Sequence, residues 1–399
     1  MSTPALGSRA FKADPFPFYK KLRESAPVHR VWLSRSTDAY LIARYADCQN
    51  ALRDHERIIK DVTVASGKRP AWMPGFLRPL SRNMLDLDDP DHARLRRLVH
   101  KAFTPRLVET LEPRILEIVD RLLTDAESRG GMDLIRDFAL PLPVTIISEM
   151  LGVPEEDRHR FQRWSNRMVS ADTSALHALM AVPSAYAFMQ YVRKMIRDRR
   201  REPREDLVTS LVAADDEGDR LSEDEMVAMI VLLLVAGHET TVNLIGNGVL
   251  TLLAHAEQKE ALIRDLWLID GAIEEILRYD GPVLMASERY ALEEVEIQNV
   301  RIPRGSMVYV VLASANRDEQ QFADADEFDI RRTPNRHLAF GQGVHFCLGS
   351  PLARMEGTRA LSRLLERFPG VRLAIPRDRL RWRRGMLLRG VESMPVLLK

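Results

Sequence analysis

From Ser222 to about His255 the chain reads as one helix, roughly 50 Å long at 1.5 Å per residue. Ser222 and Glu225 form a capping-box pattern at its start. The stretch "MVAMIVLLLVAG", Met226 to Gly237, is apolar on every face. A rod of that kind must be surrounded by other elements, so the fold has to be built around it. The apolar run alone is too short to cross a bilayer and is bracketed by "SEDE" and "HE", which predicts a buried helix of a soluble protein. With 399 residues there is ample chain to wrap it.

Apolar residues recur at three- and four-residue steps in "RLVETLEPRILEIVDRLLTDAES", "AYAFMQYVRKMIRDRRR", "GAIEEILRYD" and "MEGTRALSRLLERF", each a helix. Strand-like text is confined to "APVHRVWLSRSTDAYLIAR" and to "EEVEIQNVRIPRGSMVYVVLAS", with a further piece in the C-terminal "LLRGVESMPVLLK". The fold class is therefore mainly α with small β-sheets. No repeat or low-complexity stretch marks a linker, which predicts a single domain over residues 1–399. A net charge of +1 argues against nucleic acid as a partner. The N-terminal segment lacks an apolar core and predicts neither a signal peptide nor an anchor, hence a cytoplasmic protein with no membrane partner.

Cys48 and Cys347 are the only cysteines, too few for a disulfide framework. Cys347 lies in "HLAFGQGVHFCLGSPLAR", where Gly341, Gly343 and Gly349 call for a tightly turning backbone that approaches something closely. Ser350-Pro351 then reads as an N-cap followed by proline at the first helical position. A cysteine just ahead of a helix N-terminus is in surroundings that favour an anion, and thiolate is the metal-binding form.

Other patterns are ambiguous on their own residues. In the middle of the long helix, "AGHETT" (Ala236 to Thr241) puts small residues and a polar cluster where a flat ligand can lie, and an inserted hydroxyl or water can kink the helix there. The plainer alternative is a polar stripe turned to solvent. A zincin reading of His238-Glu239 fails, because Val242 stands where the second zinc ligand belongs. Glu275 and Arg278, three apart, read as a surface pair unless their helix is buried. His92 and Arg96 share one helix face suited to an anion, with Arg94 and Arg97 on another; on this segment alone a basic solvated helix is the preferred reading. The loop from Asp61 to Asn83, with Trp72, Met73, Phe76 and Leu77, is either a binding lid or an ordinary connection.

Taken together and in this order, these pieces resemble the cytochrome P450 superfamily, the haem-thiolate monooxygenases, over nearly the whole chain. Phe340, Gly343, Cys347 and Gly349 match its cysteine-loop signature. Ala236-Gly237-His238-Glu239-Thr240 matches its acid-alcohol motif, Glu275 and Arg278 its Glu-x-x-Arg, and Arg332 the arginine that completes that network. Departures occur at Ala256, at Ala325 and in "DLWLI", away from the inferred cofactor pocket.

The resemblance implies a triangular helical prism with haem between the long central helix and the cysteine-loop helix. It divides the chain into a β-rich part at about 28–60, a helical core at about 90–285, and a β-sheet and haem-loop region at about 286–399. It implies haem b, with Cys347 as axial ligand to the iron. By family position His92, Arg96, Arg289 and His345 take the propionates, and Ala236, Gly237, Thr240, Ala339, Phe340, Gly341, Gly349 and Ala353 line the macrocycle. Glu239 and Thr240 would carry the proton chemistry. Met84, Leu85, Leu232, Val235, Ala236, Val283, Leu284, Met285, Met386 and Leu387 would wall the substrate pocket, although apolar residues suit a core just as well. The implied reaction is hydroxylation or epoxidation of an apolar or amphipathic small molecule. Electrons would come from a ferredoxin or flavodoxin-like donor with its reductase, docking on a patch at Arg94 and Arg97 of a monomeric bacterial enzyme active in secondary metabolism. Two alternatives are a peroxide-driven peroxygenase of the same fold and a non-catalytic haem sensor or carrier.

Overall fold

The computed structural model describes residues 3–34, 37–67, 82–169 and 175–399. Trp72, Met73, Phe76 and Leu77 of the expected lid lie outside the described residues. The fold is mainly helical with small sheets, as the sequence predicts. The described residues fall into two compact units.

One unit comprises residues 1–69, 116–140 and 240–399. Its main sheet is mixed. Val28–Trp32 pairs antiparallel with Asp38–Ile42, which pairs in parallel with Met307–Val310; Arg289–Ala291 and Ile58–Ile59 continue it. The parallel pair joins the two strand-rich stretches of sequence, far apart in the chain. One side of the sheet packs on Ile42, Cys48, Leu52, Val308 and Val310, the other on Leu22, Leu41, Tyr309 and Val311, all buried. Both faces are covered, so the strands read as near-continuous apolar runs. The C-terminal strand Pro395–Leu397 joins a smaller sheet with Gly131–Asp133 and Arg372–Leu373.

The helices Ile269–Asp280 and Ser350–Arg367 pack in the same unit against the C-terminal half of the central helix. A Cβ on Gly357 would lie 3.1 Å from Leu244 and 3.3 Å from Ile273, and one on Gly248 would lie 3.0 Å from Leu361. Small residues at these crossings let the helices approach closely.

The other unit comprises residues 70–115 and 141–239. It holds the helices Asp91–Ala102, Pro141–Met150, Glu155–Val169 and Ala175–Arg201, the helix Leu207–Ala213, and a hairpin of Asp215–Asp216 with Asp219–Arg220. Glu149 ties two of these segments together, accepting from Arg114 at 2.7 and 2.8 Å and from Arg158 at 2.8 Å.

The central helix runs from Glu223 to Ala254 without interruption, including through "AGHETT", where a kink was one expectation. Its start is the capping box: Ser222 N–H donates to Glu225 Oε2 at 2.8 Å, and Glu225 N–H to Ser222 Oγ at 3.3 Å. At 32 residues the whole helix, unlike its apolar run alone, is long and apolar enough to cross a membrane by length and composition. Within its most apolar window 61% is buried inside the protein, as in a core helix.

Candidate functional site

The cysteine loop is assembled in the first unit from the residues that its sequence singles out. Gly341 and Gly343 adopt φ of +70° and +74°, a region that side chains avoid. A Cβ on Gly343 would also lie 2.6 Å from the carbonyl of Leu52. Gly341 N–H donates to Leu338 O at 2.8 Å and Cys347 N–H to Phe340 O at 3.0 Å, so the loop folds back on itself. The Cys347 thiol is left exposed. The helix begins at Ser350 with Gly349 as its N-cap and proline in its first turn. Ser350 therefore does not cap it, correcting the expected register by one residue: the close turn places the glycine at the cap position. A Cβ on Gly349 would meet no atom within 4 Å, so the protein's own packing does not demand glycine there.

The loop's support was missed in the sequence. Glu274 binds Arg354 at 2.6 and 2.9 Å and His337 Nε2 at 3.0 Å. Burial works against the charge of Glu274, yet those partners hold its carboxyl at about 2. Arg354 then stacks over the Phe340 ring at 4.4 Å. Cys48, the other cysteine, is a core thiol whose pKa burial pushes well up.

Glu275 and Arg278 are both fully buried, so their pairing is not the surface pair that spacing alone would allow. Arg278 grips Glu275 with two bonds of 2.7 and 2.8 Å and also donates to the carbonyls of Asn316, Ala325 and Glu327. Arg332 adds a bond of 3.2 Å to Glu275, the third arm that the resemblance implied. Asn335 and the Asp329 N–H complete the shell.

On the central helix Leu232, Val235, Gly237, Glu239 and Thr240 are half-buried and Ala236 is exposed, while Leu234 and His238 are buried. Leu232, Val235, Ala236 and Glu239 recur at three- and four-residue steps, so a stripe of the rod stays open, opposite the buried Val231, Leu234 and His238. His238 is tied to the Leu234 carbonyl at 2.7 Å, a structural role.

Arg289 is 3% exposed and His92 2% exposed, each a buried basic side chain in its own unit. Burial lowers the His92 pKa, against the opposing pull of Asp89 3.4 Å away. Arg96, His345, Ala339 and Ala353 are half-buried. Arg94 and Arg97 differ from expectation. Arg94 pairs with Asp219 and Glu225, Arg97 with Asp216 at 2.9 Å, and Lys101 with Asp216 at 2.7 Å. An acidic hairpin thus neutralises the supposed cationic patch. Among the expected pocket walls, Leu284 and Met285 are each 1% exposed and share a cluster with Tyr309 and Val311, against which the half-buried Met386 and Leu387 also pack. Met84 is buried, whereas Leu85, Val283, Met386 and Leu387 are half-buried.

A second residue missed in the sequence is Glu356, fully enclosed beside Thr241. Burial raises its pKa to about 8, so at neutral pH it holds a proton. Its folded value lies above its unfolded one, so the stability it contributes is present at low pH and is lost as pH rises through about 8. Glu356→Gln should flatten that loss. Thermal midpoints at pH 6 and pH 9 should differ less in the variant than in the parent, and an equal difference would remove Glu356 as the cause.

The donor set fits a haem-thiolate centre. A glycine-built loop presents an exposed thiol, space lies open beside Gly349, and Arg289 of the same unit is a buried basic side chain suited to a carboxylate. Comparison with known proteins agrees. A family model described as Cytochrome P450 matches residues 5–378. Cytochrome P450 107B1 of Saccharopolyspora erythraea is 47% identical over 97% of this chain and 96% of its own. The mycinamicin IV hydroxylase/epoxidase of Micromonospora griseorubida is 43% identical over 95% of this chain and 94% of its own. The structure of the bacillaene polyketide synthase cytochrome P450 PksS of Bacillus subtilis superposes with a TM-score of 0.93, at 43% identity and full coverage of both chains. The chain belongs to the cytochrome P450 family and is a P450 monooxygenase.

Proposed function

We propose that this enzyme works as one catalytic domain in the bacterial cytoplasm, hydroxylating or epoxidising an apolar or amphipathic small molecule of the polyketide and macrolide kind. The observation that carries this reading is the exposed Cys347 thiol on its glycine loop. The substrate class is supported by two relatives, whose names place them in polyketide biosynthesis and mycinamicin oxidation. Haem b, bound through Cys347, would supply the activation of dioxygen.

The chain's own residues do the rest. Arg289, His345, His92 and Arg96 would hold the two propionates, a role for which their basic donors are suited. The open stripe of the central helix offers an apolar wall at Leu232, Val235 and Ala236, with further wall residues at Met84, Leu85, Val283, Met386 and Leu387. Thr240 would hold a water by its hydroxyl, and the Glu239 carboxylate would pass protons to it from solvent. Each turnover consumes two electrons and two protons, one oxygen atom entering the substrate and the other leaving as water. A separate ferredoxin or flavodoxin-like protein with its reductase would deliver the electrons.

The test compares turnover driven by NADH, reductase and ferredoxin with turnover driven by peroxide alone, in the parent and in Thr240→Ala. Reductant-driven product formation should dominate in the parent. The variant should keep binding substrate and consuming NADH while diverting electrons to hydrogen peroxide. Efficient peroxide-driven turnover without a donor would favour a peroxygenase, and full coupling in the variant would remove Thr240 from the proton path.

A further inference from the structure

The short segment Met386 to Arg389 contributes two of the half-buried wall residues, and every one of its carbonyls is occupied. The Leu387 carbonyl accepts from Leu284 N–H at 2.7 Å, and that of Arg389 accepts from the Asn247 side chain at 3.1 Å. Those two carbonyls lie on the edge where Leu388 forms an isolated antiparallel bridge with Val283. The Met386 and Leu388 carbonyls belong to the opposite edge. There a single side chain takes both: Lys12 Nζ donates to Met386 O at 2.9 Å and to Leu388 O at 2.6 Å.

Lys12 comes from the short N-terminal helix Arg9–Ala13 and is fully buried. Arg389 returns the grip, donating from Nε to Lys12 O at 2.9 Å and from Nη2 to Ala13 O at 3.2 Å, while its Nη1 pairs with Asp280. A buried lysine is costly unless its donors are satisfied. Burial, then the nearby Arg389 charge, lowers the Lys12 pKa to about 7. The neutral amine still carries two N–H donors, one for each carbonyl, so the bracket does not depend on protonation.

We propose that Lys12 is a positioning residue for the substrate pocket: it stands in for a missing neighbouring strand and fixes the Met386–Leu388 wall. This rests on the reading above that Met386 and Leu387 face the substrate. The lysine itself touches neither substrate nor cofactor. It sets where two apolar side chains stand, so its loss acts on the fit of long apolar ligands and leaves small ones alone.

The test uses the haem-loaded full chain and two probes, imidazole, which needs only the iron, and 1-dodecylimidazole, whose alkyl arm must lie along the walls. The ratio of their affinities isolates the wall contribution. Lys12→Met should lower that ratio about threefold to tenfold with imidazole binding unchanged, as should Met386→Ala and Leu387→Ala. Lys12→Gln, which keeps donors for the carbonyls, should recover part of it and covers the case that Lys12→Met folds poorly. Hydrogen exchange at Met386 to Arg389 should accelerate in Lys12→Met, a readout independent of catalysis. If Met386→Ala and Leu387→Ala lower the ratio and both Lys12 variants leave it at the parent value, the positioning role is overturned while the wall reading stands. If the wall variants change nothing, the wall reading fails and the proposal with it. A lowered ratio without faster exchange also overturns it, since the effect would not pass through the bracket.

Discussion

Replacing Cys347 by serine should abolish the strongly red-shifted Soret band of the reduced carbon monoxide complex and all reductant-driven oxidation. A serine in the same loop keeps the backbone turns, since Gly341, Gly343 and Gly349 are untouched, and removes only the sulfur that donates electron density. Secondary structure and thermal midpoint of the cofactor-free chain should stay close to the parent, because the Cys347 side chain is exposed and contributes little burial. Cys48→Ser is the control. Cys48 lies in the sheet core, with its Sγ 3.2 Å from the Ile42 carbonyl, so its replacement should cost stability and leave the spectrum intact. A lost band in the Cys48 variant, with the band retained in the Cys347 variant, would transfer the ligand to the wrong side of the main sheet and dismantle the site.

The features that drew attention in the sequence are those whose chemistry is local. The capping box at Ser222 and Glu225, the φ-positive glycines of the cysteine loop and the helical stretches all depend on near neighbours, and the structure forms them, with the stretch from Arg106 to Ser128 broken into two helices at Leu111. What failed was whatever a distant partner decides. Arg94 and Arg97 look like a free basic face until a hairpin more than a hundred residues away brings Asp216 and Asp219 to them. Leu284 and Met285 have the composition of a pocket wall, but the strand Met307–Val310 and its flanks bury them. Lys12 sits in "RAFKAD", where nothing local distinguishes it from a solvated lysine; its burial follows from contact with residues 386–389.

Glu356 is a different kind of miss, since a signal was present. Leu352, Glu356, Ala360 and Leu364 recur at four-residue steps, all on one buried face. A carboxylate in that row is either paired or protonated, and here it is protonated. Its place beside Thr241 puts a buried proton next to the residue that follows Thr240. The acid-alcohol motif thus carries the half-buried Glu239 and runs on into Thr241, beside which Glu356 is sealed in the core.

Arg278→Met should destabilise the fold by about 3–5 kcal/mol and weaken cofactor retention, although Arg278 sits outside the cysteine loop. Removing the guanidinium leaves Glu275 as a buried carboxylate supported by Arg332, Asn335 and one N–H, and it strips the carbonyls of Asn316 and Ala325 of the Arg278 donor, while that of Glu327 keeps a 3.3 Å bond from Arg332. An apolar side chain of similar volume fills the space and satisfies none of those groups. The consequence travels a short way along bonds that are present: Arg278 fixes the Asn316 backbone, and the Asn316 side chain accepts from Leu338 N–H at 2.7 Å, two residues before Phe340. The base of the cysteine loop thus hangs on the same guanidinium as the buried carboxylate. Arg332→Met should cost less, about 1–2 kcal/mol, because Arg332 gives Glu275 one bond of 3.2 Å and its other bonds, to the carbonyls of Ala323, Asp324 and Glu327, are exposed. Denaturant midpoints with unchanged m-values would measure both losses, and the rate of haem transfer to an apo-globin acceptor would measure retention. If Arg278→Met and Arg332→Met proved equally mild, the buried pair would be replaceable packing. If Arg278→Met lost stability without faster haem transfer, the path through Asn316 to Leu338 would not be what holds the cysteine loop in place.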